Sequence, residues 1–251
     1  MRVVKLTLRE FKYQQIAYWR SPVGAFFTFF LPLMFLFIFG STLKSSSGQE
    51  GLSFDQFFVP AILTFGVISA SYTNLAINLS TQREQGLLKR FRGTPLPPSV
   101  YLSGLILNSL MVCAILVAIT LSFGAVFYHV HIPDHVGAIV LTDLVGAFTF
   151  CSLGIAVTVI IPTAEAAPAV VNGIYLPLLF VSGTFFPVSG FLAKIAEWFP
   201  VRPFILASVR SVDPRVAGGY SALWLGEMAI WGVLGLVVAA RRFRWAPMRK
   251  A

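Results

Sequence analysis

Charge is scarce in this sequence: Asp, Glu, Lys and Arg together make up 12% of its 251 residues, and acidic residues number only 10. A chain so poor in charge and 57% hydrophobic lies outside the usage of soluble globular domains and reads as an all-α polytopic membrane protein. Cysteine is nearly missing as well. Cys113 and Cys151 both fall inside apolar runs with no second Cys or His at ligand spacing, so buried free thiols are expected and a disulfide-stapled exterior domain is not. The phosphate-cradling P-loop requires Gly immediately before its Lys, and none of Lys5, Lys12, Lys44, Lys89, Lys194 or Lys250 follows a glycine. The chain therefore supplies no Walker-type ATP site of its own. His-Glu-x-x-His and Gly-x-Ser-x-Gly are missing too, which removes the usual marks of a membrane metalloprotease and of a serine hydrolase. His129, His131 and His135 are crowded together, but Pro133 interrupts them and structural zinc takes four well-placed ligands, so no metal site is expected.

What is present is a series of long apolar runs. Residues 21–43, 56–80, 102–128, 136–161, 169–186 and 220–240 are read as six transmembrane helices, since about 20 apolar residues span the ~30 Å hydrocarbon core. Pro22 suits a helix start and Pro32 should kink the first span. Residues 44–55 read as a short exterior loop and 162–168 as a tight cytoplasmic turn. The whole of 1–251 is one transmembrane domain. The net charge of +9 is concentrated in particular segments, so it reports topology rather than nucleic-acid binding. Of the 19 Lys and Arg, 14 fall before the first span, in 81–98 or after the last span, which by the positive-inside rule puts both termini in the cytoplasm.

Residues 1–20 are not read as a signal peptide, because charge continues to Arg20 and the apolar run behind it is too long for an ordinary signal core. At helical spacing Arg2, Lys5, Arg9, Lys12 and Arg20 share one face and Val4, Leu8, Phe11, Tyr18 and Trp19 another. Such a helix lies in the headgroup plane of an anionic leaflet; a plain juxtamembrane tail is the other reading. In the second span Ser71, Asn74 and Asn78 share a helix face, either as hydrogen-bonding contacts between helices or as the wall of a substrate pathway shared with Asn172 and Tyr175. Asp143 and Glu227 fall within spans, where acids are paired or water-exposed. They read either as an outer gate paired with Arg202, Arg210 or Arg215, or as interfacial residues of spans that begin later. After Pro187, Phe191, Ile195, Trp198 and Phe199 make an interfacial amphipathic pattern that Pro200 and Pro203 break.

Residues 81–98, TQREQGLLKRFRGTPLPP, form a basic island between two spans. Its charges exclude it from lipid. Leu87, Leu88 and Phe91 at helical spacing, with Gly93 and Pro95 beyond them, predict a short amphipathic helix that either docks on a partner or serves only as a solvated positive-inside loop. Glu84-x-Gly86 followed by Leu88, Phe91 and Pro95 resembles the first cytoplasmic loop of type-2 ATP-binding-cassette transporter permeases, although Leu87 stands where that family often has Thr or another small polar residue. Pro177, Ser182, Gly183 and Pro187, in the run LPLLFVSGTFFP, are similar to the signature of the same family, and the likeness covers nearly the whole chain.

That resemblance implies a coupling helix, Glu84 and Gly86 with Leu87, Leu88, Lys89, Arg90 and Phe91, pressing on a separate ATPase subunit that carries ATP and Mg. It makes residues 1–20 a connecting helix and 187–219 an outer re-entrant segment. It implies a dimer with a second copy of this or a similar permease, two copies of the ATPase, no cofactor in this chain, and a place in the bacterial cytoplasmic membrane. The substrate it implies is amphipathic, a drug, an antibiotic or a lipid-like molecule moved outward, with glycolipid and polysaccharide exporters sharing the fold. A self-contained secondary transporter would show inverted repeats and midplane broken helices; no convincing repeat is seen.

Overall fold

The computed structural model describes residues 2–42, 54–93, 97–128, 136–184, 190–213, 215–216 and 219–243, apart from the side chains of residues 2, 23, 41, 42, 54, 55, 91 and 92. Regular structure among the described residues is entirely helical. In chain order the helices are α1 (Arg2–Trp19), α2 (Pro22–Thr42), α3 (Phe54–Ile68), a π-helical segment (Ser69–Thr73), α4 (Asn74–Glu84), α5 (Leu87–Arg92), α6 (Pro98–Tyr128), α7 (Val136–Val157), α8 (Ala167–Val181), α9 (Phe191–Glu197), α10 (Val201–Val212) and α11 (Ala222–Arg242).

Among the described residues four helices are long and apolar enough to cross a membrane: Gln56–Glu84, which runs through α3, the π segment and α4, together with α6, α7 and α11. Helices α1 and α2 meet at 71° and add a fifth span if the bent pair counts as one. The expected fifth run is shorter than the sequence indicates, because α8 has only 15 residues. It begins at Ala167 after an irregular stretch, and it ends where Ser182 caps it and Gly183 turns to φ 89°. At about 1.5 Å per residue that is roughly 22 Å, less than the ~30 Å hydrocarbon core. The expected exterior loop at 44–55 and the histidine segment 129–135 lie outside the described residues, apart from the backbone at 54–55.

The Gln56–Glu84 helix is the centre of the bundle. In its most apolar window 83% of residues are buried, against 28% for α6 and 22% for α11. Phe57, Phe65 and Ile68 of α3 join Val112 and Leu116 of α6, Phe150 of α7 and Tyr175 of α8 in one core. Helices α7 and α11 run side by side in the same direction, in contact at small residues: Gly232 lies against Thr149 and Gly235 against Ser152. Thr149 Oγ1 donates to the Met228 carbonyl at 2.8 Å. Small side chains let two backbones approach closely enough for such a bond, which is how helices associate where lipid offers no hydrophobic driving force.

Helix α10 is packed among α3, α7 and α11. Its Phe204 is fully buried and stacks on Phe150 with ring centroids 5.8 Å apart. Phe191 and Trp198, in and just after α9, are exposed at 77% and 80%, as an interfacial pattern requires. Phe204→Ala empties the space between α10 and α7 and should lower stability by about 3 kcal/mol, the low end for truncating a buried aromatic. Thermal unfolding of the purified protein in detergent checks this against Phe191→Ala, which should change little.

Candidate functional site

The basic island folds as a corner. Helix α4 ends at Glu84, Gln85 closes it with N–H to the Thr81 carbonyl at 3.0 Å, and Gly86 takes φ 72°, the left-handed conformation in which side chains are strained. The chain then turns directly into α5. Leu88 is completely buried with Leu75, Leu79, Tyr101, Leu105 and Ile155, while Lys89 and Arg90 are exposed. Expectation and structure differ here. The apolar side of α5, expected as a surface for a partner, is used at Leu88 to seat the helix on its own bundle, and the surface left outward is basic. Leu87 is half-buried. The Phe91 side chain and Pro95 lie outside the described residues.

The corner is also tied to a distant part of the chain. Arg83, only 2% exposed, donates from Nη1 to the Thr158 carbonyl at 2.7 Å and from Nη2 to the Ile161 carbonyl. Next to it, a Glu84 carboxylate oxygen accepts the backbone N–H of Ala164. Arg83 was grouped in the sequence with the topology-setting cations. The signal that would have separated it is the buried stripe of α4, in which Ala76, Leu79, Ser80 and Arg83 follow one another at helical spacing.

The five residues expected on one pathway do not converge. Asn74 and Asn78 are hydrogen-bonded to each other through Nδ2 of Asn78. They line a cavity of about 150 Å³ with Gln14 and Tyr18 of α1, Gln82 of α4 and Asn108 of α6. Asn108 Oδ1 is buried there without a hydrogen-bond partner among the described residues, as in a chamber that receives water or a polar group. Ser71 is elsewhere, fully buried and donating back to the Val67 carbonyl at 2.6 Å. The reason is the π segment: its extra residue per turn rotates Ser71 out of the register that a regular helix would give it with Asn74 and Asn78. Tyr175 is also on another side, its ring stacked near Phe65 and tilted against Tyr72. It lines an apolar cavity of about 310 Å³ with Phe150, Leu178 and Trp231. Asn172 is half-buried on α8 and lines neither cavity.

The proposed outer ion pair is not formed. Asp143 is 8% exposed and both its carboxylate oxygens lack a hydrogen-bond partner among the described residues, whereas Glu227 is exposed beside Trp198 and Trp231. The expected cations are engaged otherwise. Arg215 pairs with Asp213 at 2.8 Å and by hydrogen bonding holds that carboxyl below its ordinary range. Arg210 lies over the Trp224 ring, 5.9 Å from its centroid, and Arg202 Nη1 donates to the Ser182 carbonyl at 3.4 Å. Asp213 is close to Arg215 in sequence and outcompetes the buried acid, which would pay to bring a second charge out of water. Of the expected signature residues, Pro177 lies within α8 and Ser182 closes it, with its N–H on the Leu178 carbonyl and its hydroxyl on the Leu179 carbonyl. Pro187 lies outside the described residues.

On helix α1 the side turned inward is polar: Glu10 is buried and Gln14 and Tyr18 are half-buried, while Val4, Leu8 and Trp19 are exposed alongside Lys5, Arg9 and Lys12. Apolar and basic residues thus share the outward surface, the arrangement of a helix lying at a lipid interface.

A helical bundle with apolar spans, an amphipathic first helix and a charged corner between spans describes an integral membrane protein. Residues 4–208 match the family described as ABC-2 type transporter, and the chain belongs to that family. It is similar to the "Putative transport permease YvfS" of Bacillus subtilis (strain 168), 22% identical over 185 residues that cover 72% of this chain and 75% of that protein. It is also similar to the "Inner membrane transport permease YadH" of Escherichia coli (strain K12), 27% identical over 161 residues that cover 62% of this chain and 61% of that protein. The protein from Shigella flexneri with the same name matches to the same extent.

The burial pattern of the corner has a measurable consequence. Leu88→Ala should destabilise the protein by about 2 to 5 kcal/mol, as for a buried leucine, whereas Lys89→Ala and Arg90→Ala should stay within about 0.5 kcal/mol of the parent. Thermal unfolding in detergent separates the two, and equal effects at all these positions would contradict the inward seating of α5.

Proposed function

We propose that the chain is the transmembrane subunit of an ATP-driven exporter, with hydrolysis carried out by a separate ATPase that holds ATP and Mg. The observation that carries the reading is the α4–α5 corner. There a six-residue helix is seated on the bundle through Leu88 and presents Lys89 and Arg90 outward, within the part of the chain that matches the transporter family. A helix so placed passes force between a docked protein and the spans.

In this reading Glu84, Gly86 and α5 with Phe91 are the coupling element, and the exposed basic side is the surface that meets the partner. The subunit works as a dimer with a second copy of this or a similar permease and binds two ATPase subunits. It crosses the bacterial cytoplasmic membrane six times, with α2 and the shorter α8 counted as spans and both termini inside. Residues 1–20 form the connecting helix in contact with lipid, and α9 and α10 the outer re-entrant segment. Asn74 and Asn78, in their polar cavity, belong to the path of an amphipathic substrate of the drug, antibiotic or lipid-like kind, and Tyr175 to the apolar cavity on the other side. A glycolipid or polysaccharide exporter uses the same machinery and is the second reading; the polar cavity of Gln14, Asn74, Asn78, Gln82 and Asn108 is what favours it.

The test is co-expression with the ATPase encoded beside the permease, copurification, and hydrolysis in proteoliposomes. Stable association and substrate-stimulated hydrolysis are expected, and Lys89→Glu with Arg90→Glu should weaken association at least about tenfold, since charge reversal at a docking surface costs more than deletion. A permease that moves substrate down an ion gradient with no ATPase bound would replace this reading by a secondary transporter.

A further inference from the structure

Helix α7 ends with a backbone problem. After Val157 its last turn tightens, with Thr158 N–H on the Ile155 carbonyl at 3.3 Å, Val159 N–H on Ala156 at 3.1 Å and Ile160 N–H on Val157 at 3.1 Å. The carbonyls that follow have no onward amide to accept from, and a helix C-terminus carries partial negative charge. The guanidinium of Arg83, arriving from 75 and 78 residues away in the chain, supplies the donors: Nη1 to the Thr158 carbonyl and Nη2 to the Ile161 carbonyl. A planar fork is suited to bridging acceptors in this way, and a buried guanidinium is tolerable only where such acceptors surround it. Glu84, the next residue, points the opposite charge at the same turn and accepts the Ala164 N–H, just ahead of α8.

We infer that Arg83 and Glu84 form a latch that fastens the α4–α5 corner to the end of α7 and to the turn before α8, so that α5 moves α7 and α8 together with α4. Arg83 is thus a positioning residue, and Glu84 acts inward, through the Ala164 amide, rather than on a docked protein. The connection from α4 to α5 is only Gln85 and Gly86, and Leu88 is sunk in the bundle. The corner therefore has little freedom to swing on its own. Helix α7 in turn is packed on α11 through Gly232 and Gly235, which extends the moving body. The latch itself stands on the hydrogen bonds; its role in transmission rests on the coupling reading proposed above.

Two measurements separate these. Hydrogen exchange of the permease alone in nanodiscs reads the latch directly: in Glu84→Met, similar in shape but without a charged acceptor, the Ala164 amide should exchange about tenfold faster or more, as expected for loss of a charge-assisted bond. Unchanged exchange would overturn the latch, whatever the ATPase does. In the reconstituted complex, Ala164→Pro removes the N–H without touching Glu84. It should abolish substrate-stimulated hydrolysis as Glu84→Met does, with both variants still retaining the ATPase and the double variant no worse than either alone. Normal coupling in Ala164→Pro beside lost coupling in Glu84→Met would mean that Glu84 acts on the partner, and the inference fails. If the parent protein binds no ATPase, the exporter reading falls and the exchange measurement still decides the latch.

Discussion

A backbone carbonyl inside a bilayer must find its donor within the protein, because lipid provides none. Much of this structure follows from how that requirement is met. Several links between distant segments run from a side-chain donor to a main-chain oxygen: Thr149 to Met228, Tyr175 to Phe65, Tyr128 to Leu36, and Arg83 to Thr158 and Ile161. The ion pair found among the described residues, Arg215 with Asp213, joins near neighbours in a turn. A side chain reaching a carbonyl avoids removing two full charges from water, the term that makes buried ion pairs costly. Each such bond is worth about 0.6 to 2 kcal/mol in a membrane protein, so several are needed to hold helices whose apolar surfaces are equally content in lipid.

The central helix shows what happens when the ladder is altered. Within Ser69–Thr73 the hydrogen bonds lengthen to the π pattern, with Asn74 N–H on the Ser69 carbonyl. Tyr72 is left against α7 and α8, in the apolar cavity, while Asn74 and Asn78 below it face α1 and α6, in the polar one. One continuous span therefore walls two chambers of opposite character. Gly154 of α7 comes so close to the π segment that a Cβ there would lie 3.0 Å from the Tyr72 carbonyl, which keeps the altered turn clamped. π turns inside α-helices are frequent at functional positions, and this one decides which polar residues of the span share a surface.

Length and apolarity made the spans legible, because a run of about 20 apolar residues has few other uses. They could not fix the length of α8, since Pro162, Pro168 and Pro177 are compatible with a span of several lengths and the turn before Ala167 is set by contacts made from α4. Helical spacing indicated a short helix where α5 lies, but spacing is blind to whether its apolar residues meet a partner or the chain's own core; Leu88 sits in the Tyr101 and Ile155 cluster. Ser71 was misplaced relative to Asn74 because periodicity assumes the same turn throughout, and nothing in Ser-Ala-Ser-Tyr-Thr announces a π segment. Asp143 invites a cation, yet the three arginines expected to meet it are engaged by Asp213, the Trp224 ring and the Ser182 carbonyl.

The basic island shows why charge in a membrane protein has to be separated by direction as well as by position along the chain. Arg83 and Arg90 belong to the same run and count equally in any topology rule. One is buried, with its charge answered by the carbonyls at the end of α7, and the other is in the open. Their energetics are correspondingly opposed, since an exposed cation can change partner at little cost whereas a buried one cannot leave its acceptors without several kcal/mol of desolvation. In the proposed coupling, a load placed on Lys89 and Arg90 is carried first by Leu88 into the core and then by Arg83 and Glu84 into the turn between α7 and α8. On that proposal the exposed cations of the corner take or release a partner, and the buried one determines which helices respond.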